Sequence, residues 1–112
     1  MDDCIFCRIA NGEIPAEKVL ETEEIVAFRD INPVSPTHVL IVPRRHITSM
    51  NDEAGSGDLF GAMLLAAREV AKKEGISEEG YRIVVNTNKG AGQEVFHLHM
   101  HVMGGRPLKS MG

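Results

Sequence analysis

The sequence predicts an α+β fold: an antiparallel sheet of about five strands, one long helix across a face, and a short N-terminal helix. Three observations carry this reading. Short apolar, β-branched runs are separated by hairpin-length connections, which join antiparallel neighbours. One longer stretch, Asp58 to Lys73, repeats its apolar residues at helical spacing. Near the C-terminal end, Phe96-His97-Leu98-His99-Met100-His101-Val102 alternates strictly, as a strand does. A chain of 112 residues fits a single domain, 1–112.

Taken in order, Cys4 to Asn11 reads as a short helix with Ile5, Phe6 and Ile9 on one side and Gly12 as its stop. Lys18 to Glu21 and Ile25 to Arg29 read as strands around a Thr22-Glu23-Glu24 turn. Ile31 to Pro36 is a loop, because each proline disfavours helix before it. Thr37 to Val42 is a buried strand ended by Pro43. In the long helix, Leu59, Met63, Ala66 and Val70 form one apolar row and Phe60, Leu64, Ala67 and Ala71 the next. Lys72 and Lys73 suit its negative end, and Gly75 terminates it. Tyr81 to Thr87 is a fourth strand, and the turn Asn88 to Gly92 leads into a histidine strand, Gln93 to Val102. There His97, His99 and His101 share one face, with Phe96, Leu98, Met100 and Val102 in the core behind them.

Composition narrows the partners. The chain is 43% hydrophobic and 25% charged, with a net charge of −4 and no Lys/Arg run, so no nucleic-acid polymer is expected. A single phosphate held by backbone N–H groups and histidines remains compatible with that charge. Met1-Asp2-Asp3-Cys4 lacks the basic start and apolar run of a signal peptide, and no stretch is long enough to span a membrane. A cytoplasmic protein with Cys4 and Cys7 as thiols or metal ligands is the expectation. Arg44 and Arg45 read as a solvated loop.

Three imidazoles on one face allow two chemistries. One histidine attacks phosphorus and forms a nucleotidyl-imidazole that water hydrolyses, its neighbours orienting it and binding phosphoryl oxygens. Alternatively, His-x-His supplies two ligands of a catalytic metal, with a third from elsewhere, although no carboxylate is expected beside the histidines on that face. Gly90-Ala91-Gly92-Gln93, immediately upstream, lets successive N–H groups approach an anion and favours the phosphate reading. Cys4-Ile5-Phe6-Cys7 has metal-binding spacing, though two small buried thiols would look the same.

These residues closely resemble the histidine triad family, whose motif alternates three histidines with apolar residues; His97 to Met103 matches it at every position. The resemblance extends through Ile5 to Ile9, Ala27 to Ile31, Pro36 to Pro43 and Gly92 to Phe96, and Gly104-Gly105-Arg106 looks like the nucleotide-binding, phosphoramidase branch. It implies a hydrolase acting on nucleoside 5′-phosphoramidates. The same family also contains dinucleoside polyphosphate hydrolases and nucleotidyltransferases, and a nucleotide-binding regulator with little turnover is a further alternative. By the resemblance His99 is the nucleophile and His101 contacts phosphate and leaving group. His97 orients His99 through its backbone, and His38 supports the triad from the next strand. Asn86, Gly92, Gln93 and Val95 match phosphate-binding positions, and Asp30 the acceptor of both ribose hydroxyls. Ile5, Phe6, Ile9, Phe28 and Ile31 match the apolar slot for a purine base.

The family forms homodimers through the long helix and the Tyr81 to Asn86 strand. Some bacterial members bind structural zinc through positions matching Cys4, Cys7, His46 and His97, which implies the same here. Glu94 departs from members with a Ser or Thr hydroxyl near the phosphate; a carboxylate cannot donate, and alternation should turn it away from the histidines. The chain also has no Trp, so it lacks the tail tryptophan that some members extend into the partner's site.

Overall fold

The computed structural model describes residues 3–111; Met1 and Asp2 of the acidic N-terminal segment, and Gly112, lie outside the described residues. The elements are α1 (Ile5–Ala10), β1 (Lys18–Glu21), β2 (Ile25–Arg29), β3 (Thr37–Pro43), α2 (Gly57–Lys73), β4 (Tyr81–Val84) and β5 (Met100–Gly104). The five strands form one antiparallel sheet in the order β1-β2-β3-β5-β4, with β3 at its centre and buried throughout.

Period-two alternation divides the core into two layers. On one face Ile25, Ala27, Val39, Ile41, Met100 and Val102 pack against Leu59, Met63, Ala67 and Val70 of α2. On the other, Val26, Phe28, Leu40 and Val42 pack against Phe6, Cys7 and Ile9 of α1. Helix α2, 17 residues long, covers its face along its length, whereas α1 has only 6 residues and leaves part of the opposite face open. A cavity lined by residues of both α1 and the sheet occupies that gap.

Each boundary has a local cause. Ser56 caps α2, its hydroxyl accepting from the Leu59 N–H at 3.1 Å, so the helix starts one residue before the expected Asp58. Gly75 at φ +71° reverses the chain, and the Ile76 N–H donates back to Ala71 O at 3.0 Å. The Thr22 hydroxyl accepts the N–H groups of Glu24 and Ile25 and closes the β1–β2 turn. Arg44, expected to be solvated, donates to Ala10 O, Thr22 O and the Glu21 carboxylate, and so ties the segment after β3 to both α1 and that turn.

The C-terminal strands are shorter than expected. Strand β4 ends at Val84 instead of Thr87, and β5 begins at Met100 instead of Gln93. Ladder pairing fails upstream because the Leu98 N–H turns to Ile47 O, at 2.6 Å, instead of a neighbouring strand. Alternation still holds from His97 to Val102: Leu98, Met100 and Val102 face α2 while the histidines face α1. It breaks before that, and Phe96, expected in the core, is 49% exposed. In α2 the second apolar row is only partly covered: Ala67 and Ala71 are buried, Phe60 is half-buried and Leu64 is 52% exposed.

Candidate active site

The side of the sheet that α1 half covers holds four imidazoles whose tautomers follow from their partners. His97 Nε2 lies 2.7 Å from Pro43 O, a carbonyl that only accepts, so Nε2 carries the proton and Nδ1 the lone pair. His99 Nδ1 lies 2.8 Å from His97 O and is protonated for the same reason, which leaves the Nε2 lone pair as the ring's free function. A second chain begins at the Val34 N–H, which donates to His38 Nδ1 at 3.1 Å. His38 Nε2 then donates to His101 Nδ1 at 2.9 Å. In neutral His101 the proton must therefore sit on Nε2, a buried atom without a partner among the described residues. One histidine presents a lone pair and its neighbour an N–H donor, with ring centroids 5.0 Å apart.

Burial disfavours the charged form of three of these rings, His38, His97 and His101. It pushes His101 down to about 4, helped by the neighbouring His99 and His38. It also lowers His97, and lowers His38 against the opposing pull of Asp30. Asp30 Oδ2 stands 3.5 Å from His38 Nε2, brought there because its N–H continues the β2–β3 ladder to His38 O at 2.9 Å. A carboxylate does accompany the histidines, contrary to the sequence expectation, and Asp30, His38 and His101 offer donor atoms within 4.8 Å of one another. The strand repeat could not reveal it, since Asp30 is supplied by the far side of β3.

The cavity above these rings has a volume of about 320 Å³. His99 and His101 form its floor, with Asn86, Gly92 and Val95 on one side. Ile5, Phe6, Ile9, Phe28 and Ile31 form an apolar slot opposite, beside Asp30. Phe6 sets its edge against His99 at 5.1 Å and against Phe28 at 5.6 Å. Ile31 is 89% exposed at the rim, an unsatisfied apolar surface that suits a flat ligand. A larger cleft of about 660 Å³ near Glu79, Arg82 and Arg106 is lined by no histidine or cysteine, so size alone does not mark the site.

Two residues sit differently from the sequence expectation. Gln93, expected at a phosphate position, is buried and turned inward: its amide donates to Thr48 O and Val95 O, and its carbonyl oxygen accepts the Asn88 N–H. Its own N–H is taken by Asn88 O, so it braces the turn; the N–H groups of Glu94 and Val95 have no backbone partner among the described residues. Glu94, expected to face away, lines the cavity with His99 and His101, because the segment 93–99 belongs to no ladder. Sequence reasoning also missed Ile14, Pro15, Ala16, Arg29 and Leu40 in the wall; only a contact map could have found them.

Below the cavity lies a cluster of four soft donors. Cys4 Sγ and Cys7 Sγ are 3.3 and 3.4 Å from His97 Nδ1, and Cys7 Sγ is 3.3 Å from His46 Nδ1. All four ligand atoms lie within 4.8 Å of one another. The two thiols sit on one turn of α1 because Cys4 caps the helix and accepts the Cys7 N–H. His97 already aims its lone pair at them, the tautomer a metal requires. Burial, followed by the hydrogen bond and charge of Cys4, pushes the Cys7 thiol up to about 11, and a dication among these donors would reverse that. The donor set and its spacing fit a tetrahedral thiophilic cation.

Comparisons with known proteins agree with this geometry. The chain is 45% identical over 111 residues to the purine nucleoside phosphoramidase of Escherichia coli (strain K12), covering 98% of this chain and 93% of that protein. It is 50% identical over 105 residues to protein HitA of Neisseria gonorrhoeae, covering 93% and 97%. Among solved structures, a histidine triad protein from Clostridium difficile superposes with a TM-score of 0.95 at 40% identity, covering 100% of this chain and 98% of that one. A HIT family hydrolase from Legionella pneumophila Philadelphia 1 superposes with a TM-score of 0.90 at 50% identity, covering 96% of each. Residues 11–108 match the HIT domain, and the chain belongs to the HIT domain family.

Proposed function

We propose that the protein hydrolyses purine nucleoside 5′-phosphoramidates through a nucleotidyl-histidine intermediate. The carrying observation is His99: its Nδ1–H is held by His97 O, and its Nε2 lone pair is free on the wall of a cavity shaped for a flat ring and a ribose. The relative of known activity in Escherichia coli, a purine nucleoside phosphoramidase at 45% identity, supports the substrate class.

The base enters the slot between Phe6, Phe28 and Ile31, and Asp30 accepts both ribose hydroxyls. The free N–H groups at Glu94 and Val95, with His101 Nε2–H, receive the phosphoryl oxygens. His99 Nε2 attacks phosphorus as the P–N bond breaks, and the nitrogen, protonated from solvent, departs as a neutral amine. Water then attacks the nucleotidyl-imidazole, its proton passes to bulk water, and the nucleoside monophosphate leaves with His99 neutral again. Because His101 is held near 4 it works at neutral pH as a hydrogen-bond donor rather than as a cationic acid.

Cys4, Cys7, His46 and His97 would hold zinc. Held there, it would cross-link α1 to the segment after β3, while His97 keeps in place the carbonyl that orients His99. The uncovered row of α2 and the free edge of β4 support a homodimer: Met50 (43% exposed), Leu64 (52%) and Ile83 (36%) surround an apolar cavity of about 220 Å³. The described residues contain no helix long and apolar enough to cross a membrane, and the reduced thiol pair suits a cytoplasmic setting.

The test is steady-state hydrolysis of an adenosine 5′-phosphoramidate by wild type and His99→Ala, with intact-mass detection of adenylylated protein. Turnover, its loss in the variant and an adduct on His99 are expected. Tight nucleotide binding with neither turnover nor adduct would leave a nucleotide-binding regulator.

A further inference from the structure

The Glu94 side chain is a charged part of the cavity wall that the proposed chemistry leaves without a task. It is exposed, it makes no hydrogen bond or ion pair through its carboxylate among the described residues, and it shares the wall with His99 and His101. It also lines a neighbouring cleft of about 420 Å³, lined besides by Asp3, His46 and Phe96, which meets the cavity along Ile5, Glu94 and Val95. The charges around this junction are one-sided. Among the described lining residues the charged groups of the cavity are Asp30, Glu94 and Arg29, and Arg29 is committed to Glu17 at 2.5 Å and to Glu74 at 2.5 and 2.8 Å. The cleft adds Asp3 and no Lys or Arg. A dication held by two thiolates beneath it would add no net charge.

We infer that Glu94 is a charge filter for the leaving group: it admits phosphoramidates whose amine carries a positive charge and rejects polyphosphate leaving groups. This deepens the proposed function and rests on it for the bond cleaved. Glu94 lies between Gln93 and Val95 and lines the cavity with Gly92, Val95, His99 and His101, which puts its charge on the side where phosphorus carries its leaving group. A nucleoside di- or triphosphate leaving there would need cations to neutralise it; among the described lining residues it meets a carboxylate and no free guanidinium or ammonium. An amine bearing a second ammonium meets the opposite sign. A unit charge several ångströms from a half-solvated carboxylate changes relative affinity by roughly three- to tenfold per charge. The effect concerns discrimination, and nothing in the fold depends on this exposed side chain.

Three substrates measure it: an adenosine 5′-phosphoramidate of a diamine, one of a neutral amine of equal length, and diadenosine triphosphate. Each protein's rate on the neutral amine is its internal reference. Wild type should prefer the diamine substrate by about tenfold in kcat/KM, and Glu94→Gln should bring that ratio close to one while raising relative turnover of the dinucleotide. Glu94→Asp should keep most of the preference. Ratios unmoved by Glu94→Gln would overturn the filter. A binding arm separates this from failure of the phosphoramidase reading. In a His99→Ala background, the affinity of adenosine diphosphate relative to monophosphate should rise severalfold on adding Glu94→Gln. If wild type cleaved no phosphoramidate but that affinity ratio rose, the filter would stand and the phosphoramidase assignment would fall. A static ratio would overturn the filter by itself.

Discussion

Replacing His38 by phenylalanine removes the middle of the hydrogen-bond chain from Val34 to His101 while keeping a buried ring of similar size. Two bonds are lost, the 3.1 Å bond from the Val34 N–H and the 2.9 Å bond to His101 Nδ1. His38 is only 6% exposed, so neither orphaned partner is readily rehydrated. At about 1 kcal/mol per net bond the fold loses roughly 2 kcal/mol, or about 8 °C in Tm for a chain of this size. The effect on rate comes from the tautomer. Without His38, the His101 proton is free to move to Nδ1, and the Nε2 donor facing the cavity is present only part of the time. Complete loss of an oriented oxyanion donor costs about 10²-fold and a wrong tautomer half the time about twofold, so kcat should fall by roughly tenfold, between these limits, with KM little changed. His38→Gln is the control, because its amide NH₂ reaches the Nε2 position and its oxygen can accept from Val34; it should recover most of the rate. The assay is steady-state hydrolysis of an adenosine phosphoramidate alongside thermal melting. A His38→Phe variant whose kcat is indistinguishable from wild type would refute the chain of tautomers as the source of the His101 donor.

Purified wild type should contain about one zinc per chain by elemental analysis, and chelation or Cys7→Ser should lower Tm by about 10–15 °C, the scale of a ligand near 1,000 times its Kd; metal-free protein whose Tm ignores chelator would refute the site. His101 is lowered to about 4 in the folded protein from the ordinary 6.5. The unfolded chain therefore binds its proton first, and this stability, complete above about pH 6.5, drains as pH falls toward 4. Allowing for solvent at the half-buried ring, denaturant titrations at about pH 7 and pH 4.5 should differ by about 1–2 kcal/mol more in wild type than in His101→Gln. An equal difference in both proteins would assign the acid sensitivity elsewhere. Leu64→Glu places a charge on the exposed α2 row, and light scattering should then give a monomer where wild type gives a dimer; a monomeric wild type would refute that face as an interface.

Much of this was legible because local rules govern it. The Gly75 reversal and the apolar row of α2 depend on neighbours within one or two turns. The His97 to Val102 alternation survived the loss of strand pairing because an extended chain keeps its period of two whether or not it joins a ladder. What escaped were side chains whose partners are distant in sequence. Asp30 meets His38 through the β2–β3 register. Arg44 meets Ala10 across 34 residues. Gln93 turns inward to Thr48 across 45. Glu94 and Phe96 were misplaced for one shared reason: a strand's alternation was extended upstream into a segment whose direction is set by the Leu98–Ile47 bond.

The thiol–imidazole cluster spans nearly the whole chain, Cys4 and His97 being 93 residues apart. Closing so long a loop costs roughly 4 kcal/mol of chain entropy before any contact compensates it. During synthesis α1 emerges first, yet the face of the sheet it covers needs β3, and the cluster beneath it needs the last histidines to be made. Until then Phe6 and Ile9 have no layer to cover, and the base slot has only one wall. Nucleotide binding can therefore appear only in molecules whose earliest and latest segments have met, which makes the pocket a reporter of completed folding, distinguishable in refolding experiments from formation of the α2-backed sheet alone.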